Sequence, residues 1–444
     1  MRLQSPPKGA VLMLGLGILS LIAVLIFLVA RSAVISNEKT KAMGLADAAA
    51  KSVATWYAQI LNYDAYSNRA IAANEIMIAQ SATLASWTQY AQTLAQNIGT
   101  VAAAIPAAQA LASWINESVT ISHQMAKAGA SIETPMRSIY TQMLHSSQQV
   151  MHTAATPFAA QAMVNEVVWS GDSRFFGQLI PSSAISAFSY FSLARSGVDR
   201  APLASLIEQS QDDFSRNRGF DQRLYLMPSV GCIPTTLDSA FSKLIRRGGT
   251  WLSADLSNWE SADTLSIHSW RRRSRLNWRC SGLREAIPLA WGAADAQVSN
   301  HAQISRDGAG LEANPSAFSL AGSQAVSLSG YQGLSGYREL AISSDAARQS
   351  ASVRVPVVVR LPLSKTQKIT AGQTVMADSA AKQPDKLWAL SVAELFFQRP
   401  TDTLSNSATR EFANLFAPFW GSRLVAPSTA DQSVAMLLSQ GVNP

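Results

Sequence analysis

Cysteine and charge are both scarce in this sequence. Its 444 residues include two cysteines, Cys232 and Cys280, and charged side chains make up only 15%. Two cysteines cannot build a cysteine-dense scaffold or an array of zinc fingers, since one structural zinc already takes about four Cys or His ligands. At most they make one bridge. A net charge of +7 spread over so few charged residues excludes a dedicated nucleic-acid binder, and 48% hydrophobic residues exclude a disordered chain.

The short patterns that carry chemistry are missing too. There is no H-E-x-x-H, no G-x-x-x-x-G-K-[ST], no G-x-S-x-G and no C-x-x-C. Of the five histidines, His123, His145, His152, His268 and His301, the nearest pair is His145 and His152. Two helical turns separate them by roughly 10 Å, too far to share one metal. Ser36-x-x-Lys39 spells a Ser-Lys dyad without its usual companions, and reads as a solvated helix face. Asp238-Ser239-Ala240-Phe241-Ser242 approximates a D-x-S-x-S cation loop but has Ala240 at the middle ligand position, so a loop without metal is expected. No cofactor, metal, small-molecule substrate or enzymatic activity is expected.

What is present begins with a run of 21 residues without a charge, Ala10 to Ala30, between Lys8 and Arg31. As a helix it spans roughly 30 Å, the thickness of a bilayer's hydrocarbon core. Its length, beyond the roughly 7–15 apolar residues of a cleaved leader, reads as an uncleaved signal anchor. Gly15 and Gly17 inside it suit close helix approach rather than phosphate binding. Flanking charges tie on orientation. The short segment 1–9 and the two cysteines favour a tail in the cytoplasm and a body in an oxidising compartment.

Residues 31–165 place apolar side chains at helical spacing. One row is Leu45, Ala49, Val53, Trp56 and Ile60, and another is Leu84, Trp87, Ala91, Leu94 and Ile98. A helical stalk is expected, broken near Asn62–Asp64, Gly99, Pro106, Gly129 and Pro135. Residues 166–247 read as a mixed connecting segment of short helices and loops. Residues 248–425 read as a β-rich body: Asp263–Arg272 alternates, and Ala351–Leu361 is β-branched, with Pro356 suggesting an edge strand or a bulge. His301–Ser344 is rich in Gly and Ser and reads partly as loop, Lys386–Gln398 as a last helix, and 426–444 as a tail. No internal repeat is evident. The fold class is α+β: one N-terminal transmembrane helix continuing into an Ala-rich helical stalk, then a mixed body with antiparallel strands.

Charge is concentrated in residues 243–285, where nine basic residues face four acidic ones and leave +5. Trp251, Trp259, Trp270 and Trp278 interleave with them. Arg271, Arg272, Arg273, Arg275 and Arg279 form a candidate partner-binding basic patch, for an anionic surface or a protein. Packing of the tryptophans against a sheet, with arginines facing water or a protein, is favoured over nucleic acid. Cys232 and Cys280 flank this segment. Bridged, they would stabilise the body by roughly 3–4 kcal/mol in the chain-entropy picture; the alternative is two buried thiols.

Two stretches resemble the TadE/TadG-like proteins of bacterial tight-adherence pilus systems. The first follows the anchor: Ala46-Asp47-Ala48-Ala49-Ala50, Asn62, Ala65-Tyr66, Asn68-Arg69-Ala70 and Ala73-Asn74-Glu75. The second is Glu394-Leu395-Phe396-Phe397-Gln398-Arg399-Pro400, then Asn414-Leu415-Phe416-Ala417-Pro418-Phe419-Trp420 and Arg423-Leu424, similar to the C-terminal part of long TadG-like members. The resemblance implies a single-pass inner-membrane protein with a periplasmic body, a minor-pilin-like or scaffold component of pilus assembly. Its partners would be the membrane and other pilin-like or pilus-machinery proteins. No catalytic residues come with it.

Leu14 stands five residues after Gly9, where a processed pilin usually carries Glu, which favours a permanent anchor. The polar residues Asn62, Asp64, Asn68, Arg69, Asn74 and Glu75 lie in an otherwise apolar stretch. They would cap a helix break, bond across to partner helices, or face water. The rival function is a membrane-anchored periplasmic binding module or wall tether that uses the basic Trp-rich segment.

Overall fold

Between Pro7 and Pro106 the sequence has no proline and is dense in Ala, Leu, Met and Gln, the residues that lose least on entering a helix. One continuous helix results, α1, Lys8–Ala102. The breaks expected at Asn62–Asp64 and Gly99 do not occur. The second helix, α2, Pro106–Ala154, begins at the expected Pro106 but runs on through Gly129 and Pro135. A proline inside a helix costs one backbone hydrogen bond without always ending it. The structure is a computed structural model that describes residues 8–102, 106–180, 188–229, 231–272, 274–275, 277–298, 304–305, 309–342, 344–349, 351–362, 386–399 and 411–439.

The later elements are α3 (Pro157–Gly171), β1 (Phe176–Leu179), β2 (Ser192–Arg195), α4 (Ala201–Ser210), β3 (Phe220–Pro228), β4 (Phe241–Leu252), β5 (Trp259–Arg272) and β6 (Cys280–Gln297). They are followed by α5 (Pro315–Ser323), β7 (Val326–Ser329), β8 (Tyr337–Leu340), β9 (Ser352–Pro362), β10 (Lys386–Phe397), β11 (Trp420–Val425) and α6 (Thr429–Ser439). Strands β2 and β8 form a two-stranded pair. The class is α+β, with a long apolar N-terminal helix and mainly antiparallel strands. The chain falls into two compact units, each assembled from separate stretches: 1–63, 150–193 and 340–444 in the first, 64–149 and 194–339 in the second.

In the first unit, Leu12 to Val29 of α1 lie exposed apart from the half-buried Phe27, and this is the one described helix long and apolar enough to cross a membrane. From Glu38 onward α1 has a buried side. Ala42, Ala46, Ala49, Ala50, Val53 and Ile60 are fully buried within the core formed with the sheet β1-β9-β10-β11. Alanine at these steps lets the helix lie close to its neighbours. Where a stalk was expected, residues 42–61 are therefore part of a core. Gly177 of β1 makes the same allowance for α3, since a Cβ there would sit 2.6 Å from the Val164 side chain.

Three expectations fail in this unit. Lys386–Gln398 is not a helix: β10 pairs with β9 from Lys386↔Pro362 to Phe396↔Ser352. Ala389, Ser391, Ala393, Leu395 and Phe397 are buried at every second position, the strand period. A short apolar run does not distinguish helix from strand, and pairing with the Val-rich β9 decides it. Pro356 is on neither an edge strand nor a bulge, because β9 is an interior strand and its register with β10 is regular through Pro356↔Val392. Its carbonyl accepts from Ile180 N just past the end of the β1 ladder, so the missing N–H interrupts no β1 pair. Residues 429–439, expected as tail, form α6, whose Ala435 and Leu438 pack with Ile180 and Val358.

The second unit holds the sheet β3-β4-β5-β6-β7, antiparallel except for β6–β7. The described residues of the Gly- and Ser-rich region 301–344 combine loops with α5, β7 and β8. Here α1 presents a polar face to the strands. Gln89 accepts from Ala293 N (2.8 Å), Thr93 donates to Trp291 O (2.7 Å) and Asn97 donates to Leu289 O (2.7 Å). Of the expected apolar row, Leu84, Trp87 and Ile98 lie exposed instead, while Ala91 is half-buried and Leu94 packs against Tyr90, Leu265 and Ala290. At Gly292 the strand meets the helix backbone: a Cβ there would collide with Ser86 O and Tyr90 N.

Candidate functional site

The pattern residues after the anchor divide into clamps and exposed groups. In the first unit Asn62 is a clamp: its Nδ2 donates to Trp420 O (2.9 Å) and its Oδ1 accepts from Trp420 N (3.0 Å). A primary amide is thus read as a strand edge would be read, by one donor and one acceptor. Trp420 Nε1 donates in turn to Asn414 O, and Asn414 Oδ1 accepts from Phe416 N and Ala417 N. Arg423 pairs with Glu394 at 2.8 Å. Asn62 and Trp420, 358 residues apart, are therefore joined side chain to backbone within the first unit.

In the second unit Asn68 is fully buried; it donates to Arg338 O (2.8 Å) and accepts from Gln148 Nε2 (2.8 Å). Asn74 accepts from Arg137 Nη1 (2.8 Å) on α2. Glu75 Oε2 accepts from Tyr331 Oη (2.8 Å) and Trp259 Nε1 (3.1 Å). Burial pushes the Glu75 carboxyl up to about 7, against the pull of the Trp259 and Tyr331 donors. Asp64 is fully buried as well. None of these residues caps a helix break, because α1 is unbroken; Asn68, Asn74 and Glu75 bond across to this chain's own strands, loops and second helix. Asp47, Tyr66 and Arg69 are exposed.

At the start of the folded part, Glu38, Lys41, Asp172 and Arg174 form an ionic cluster, with Lys41–Asp172 at 2.6 Å and Arg174–Glu38 at 2.8 Å. Arg174, then Lys41, hold the Asp172 carboxyl well below its usual range. Ser36 and Lys39 nearby are exposed on the helix surface. Sequence reasoning missed a second ionic centre, the buried Arg218–Asp263 pair at 2.7 Å. Asp263 also accepts from Ser86 Oγ (2.8 Å), and Arg218 reaches Ser261 Oγ and Gly249 O. Spaced 45 residues apart with no shared motif, the two gave no local signal.

The basic segment is the β5–β6 hairpin and the strand before it. Cys232 and Cys280 are disulfide-bonded. Beside the bridge, Ile233 N donates to Trp278 O (2.7 Å) and Cys280 N to Ile233 O (2.9 Å), fastening the hairpin end to the preceding loop. Arg271, Arg272, Arg275 and Arg279 are exposed here, and Arg272 lies over the Trp278 ring at 4.9 Å. Arg273 lies outside the described residues. Trp259 is fully buried, Trp251 and Trp270 are half-buried, and Trp278 is exposed. Asp238 pairs with Lys243 and Arg223, both at 2.7 Å, which pull its carboxyl below the usual range and leave it in ion pairs rather than a cation loop.

The histidines are dispersed. His123 accepts from or donates to Thr88, His145 contacts Gln149, His152 stacks on Phe188, and His268 bonds Asn314 at 2.7 Å. His301 lies outside the described residues. No cluster of three metal-ligating side chains occurs among the described residues. Compared with known proteins, the chain matches no family profile, no characterised protein and no solved structure.

Proposed function

We propose that this chain is a non-enzymatic pilus-assembly component, TadG-like, held in the bacterial inner membrane by residues 10–30. Its short N-terminal segment would lie in the cytoplasm and its body in the periplasm, where a minor-pilin-like or scaffold role would support a tight-adherence pilus. The observation that carries the reading is the Asn62–Trp420 double hydrogen bond. It sets Asn62 of the first stretch on the Trp420 backbone of the second, the kind of contact a shared structural signature would make. The exposed apolar run Leu12–Val29 and the Cys232–Cys280 bridge fit an anchor and an oxidising compartment. Exposed Asp47, Tyr66 and Arg69 are the pattern residues available to partners.

Affinity capture of the intact chain from solubilised membranes tests the proposal. Pilin-like subunits or pilus-machinery proteins should co-purify, and their consistent absence would defeat it. A second reading rests on the basic hairpin end, whose exposed arginines and Trp278 suit an anionic polymer of the cell wall. Replacing Arg271 and Arg272 by Gln should then release the protein from sedimenting wall material, while a pilus role alone leaves sedimentation unchanged.

A further inference from the structure

Helix α2 is turned inside out. The side chains it buries are small or polar: Ala130, Thr134, Ser138, Thr141 and Gln148, each nearly or wholly inaccessible. Its large apolar side chains lie on the opposite face. Trp114, Ile121, Met125, Ile132, Met136 and Met143 are each at least half exposed. At 100° per residue these six fall within a narrow arc, roughly 60° wide, on the side away from the buried row. Because their spacing averages close to 3.6 residues, the stripe runs straight along the helix for roughly 45 Å.

At about 200 Å² for a large apolar residue, the six leave roughly 750 Å² of contiguous apolar surface in water. That exceeds the few hundred Å² a monomer usually exposes, and it comes close to the ~800 Å² per partner of a standard protein interface. A groove of about 560 Å³ opens along the edge of the stripe, between α2 and α1, lined by Ile132, Met136, Tyr140, Glu133, Arg137 and Asn74. The charges in its lining are already matched: Arg137 binds Glu133 Oε1 (2.6 Å) and Asn74 Oδ1 (2.8 Å). The face therefore carries apolar knobs and a groove to receive them, and makes no demand for an oppositely charged partner.

We infer that the outer face of α2 is a self-association surface whose occupant is the same face of a second copy of this chain. Knob and groove on one surface satisfy a two-fold interface, in which each copy gives what it receives. The inference stands apart from the pilus reading, because it uses only the second unit's own surface.

The full-length chain in detergent micelles tests it. With both native cysteines bridged, Met136→Cys introduces the one free thiol, on the stripe, and Ser131→Cys places one that is exposed but more than a quarter turn away. Under mild oxidation, the disulfide-linked dimer fraction should be at least tenfold higher for Met136→Cys than for Ser131→Cys. The double variant Ile132→Glu/Met136→Glu should halve the protein mass measured by light scattering while keeping the wild-type circular dichroism spectrum. Equal cross-linking at both positions, or a monomeric wild type, overturns the inference. So does a dimer that survives the double Glu variant. A wild type that stays monomeric while a fluorophore on Met136→Cys shifts to the blue on phosphatidylglycerol vesicles would assign the stripe to the bilayer and overturn it too.

Discussion

Replacing Glu75 by Gln should remove most of the pH dependence of this protein's stability between pH 4.5 and 7. The carboxyl is buried against Trp259 and Tyr331, and burial raises it from 4.5 to about 7. A raised acid is held in its protonated form, so its contribution is fully present below pH 4.5 and is lost as pH climbs through 7. A difference of about 2.5 pH units at 1.36 kcal/mol each amounts to roughly 3 kcal/mol lost by pH 8. For a unit of this size that is roughly 6–12 °C in Tm. Thermal unfolding of the full chain in detergent, followed by tryptophan fluorescence at pH 4.5, 6, 7 and 8, measures it, and Trp259 is a local reporter. The wild type should lose stability across the range and Glu75→Gln should not. Parallel loss in both proteins would show that the titrating group lies elsewhere.

Asp263→Ala should destabilise by about 3–5 kcal/mol, because it leaves the Arg218 guanidinium buried without its counter-charge; urea unfolding checks the size. Gly292→Val should also destabilise strongly, since its side chain would be driven into the α1 backbone at Ser86 and Tyr90, and expression with a circular dichroism melt reads the loss. Reducing the Cys232–Cys280 bridge should lower stability by about 3–4 kcal/mol, measured as a shift in the urea midpoint with and without reductant. Asn62→Leu should cost about 2–4 kcal/mol by leaving the Trp420 N–H and C=O without partners, and limited proteolysis near residue 420 should speed up.

Features written in neighbouring residues were legible before the structure. The uncharged run Ala10–Ala30, the alternation in Asp263–Arg272 and the β-branched stretch that becomes β9 each carry a local signal in length, spacing or residue type. The cysteine pair was legible because two cysteines allow one bridge. What failed depended on distant partners. Lys386–Gln398 becomes a strand because β9 waits to pair with it, and Leu84, Trp87 and Ile98 of the apolar row face out, with Leu94 only half-buried, because Gln89, Thr93 and Asn97 bind β6. Asn62, Asn68 and Glu75 stood out as polar residues in an apolar helix, but their partners lie up to 358 residues away. Helical period reports amphipathicity, not which face the fold will bury.

The measurement that bears most directly on the proposed role is a count of surface pili by electron microscopy. Cells lacking this chain should show few or no pili, with number and length restored by the wild-type chain. Pili unchanged in number and length in its absence would contradict a part in pilus assembly.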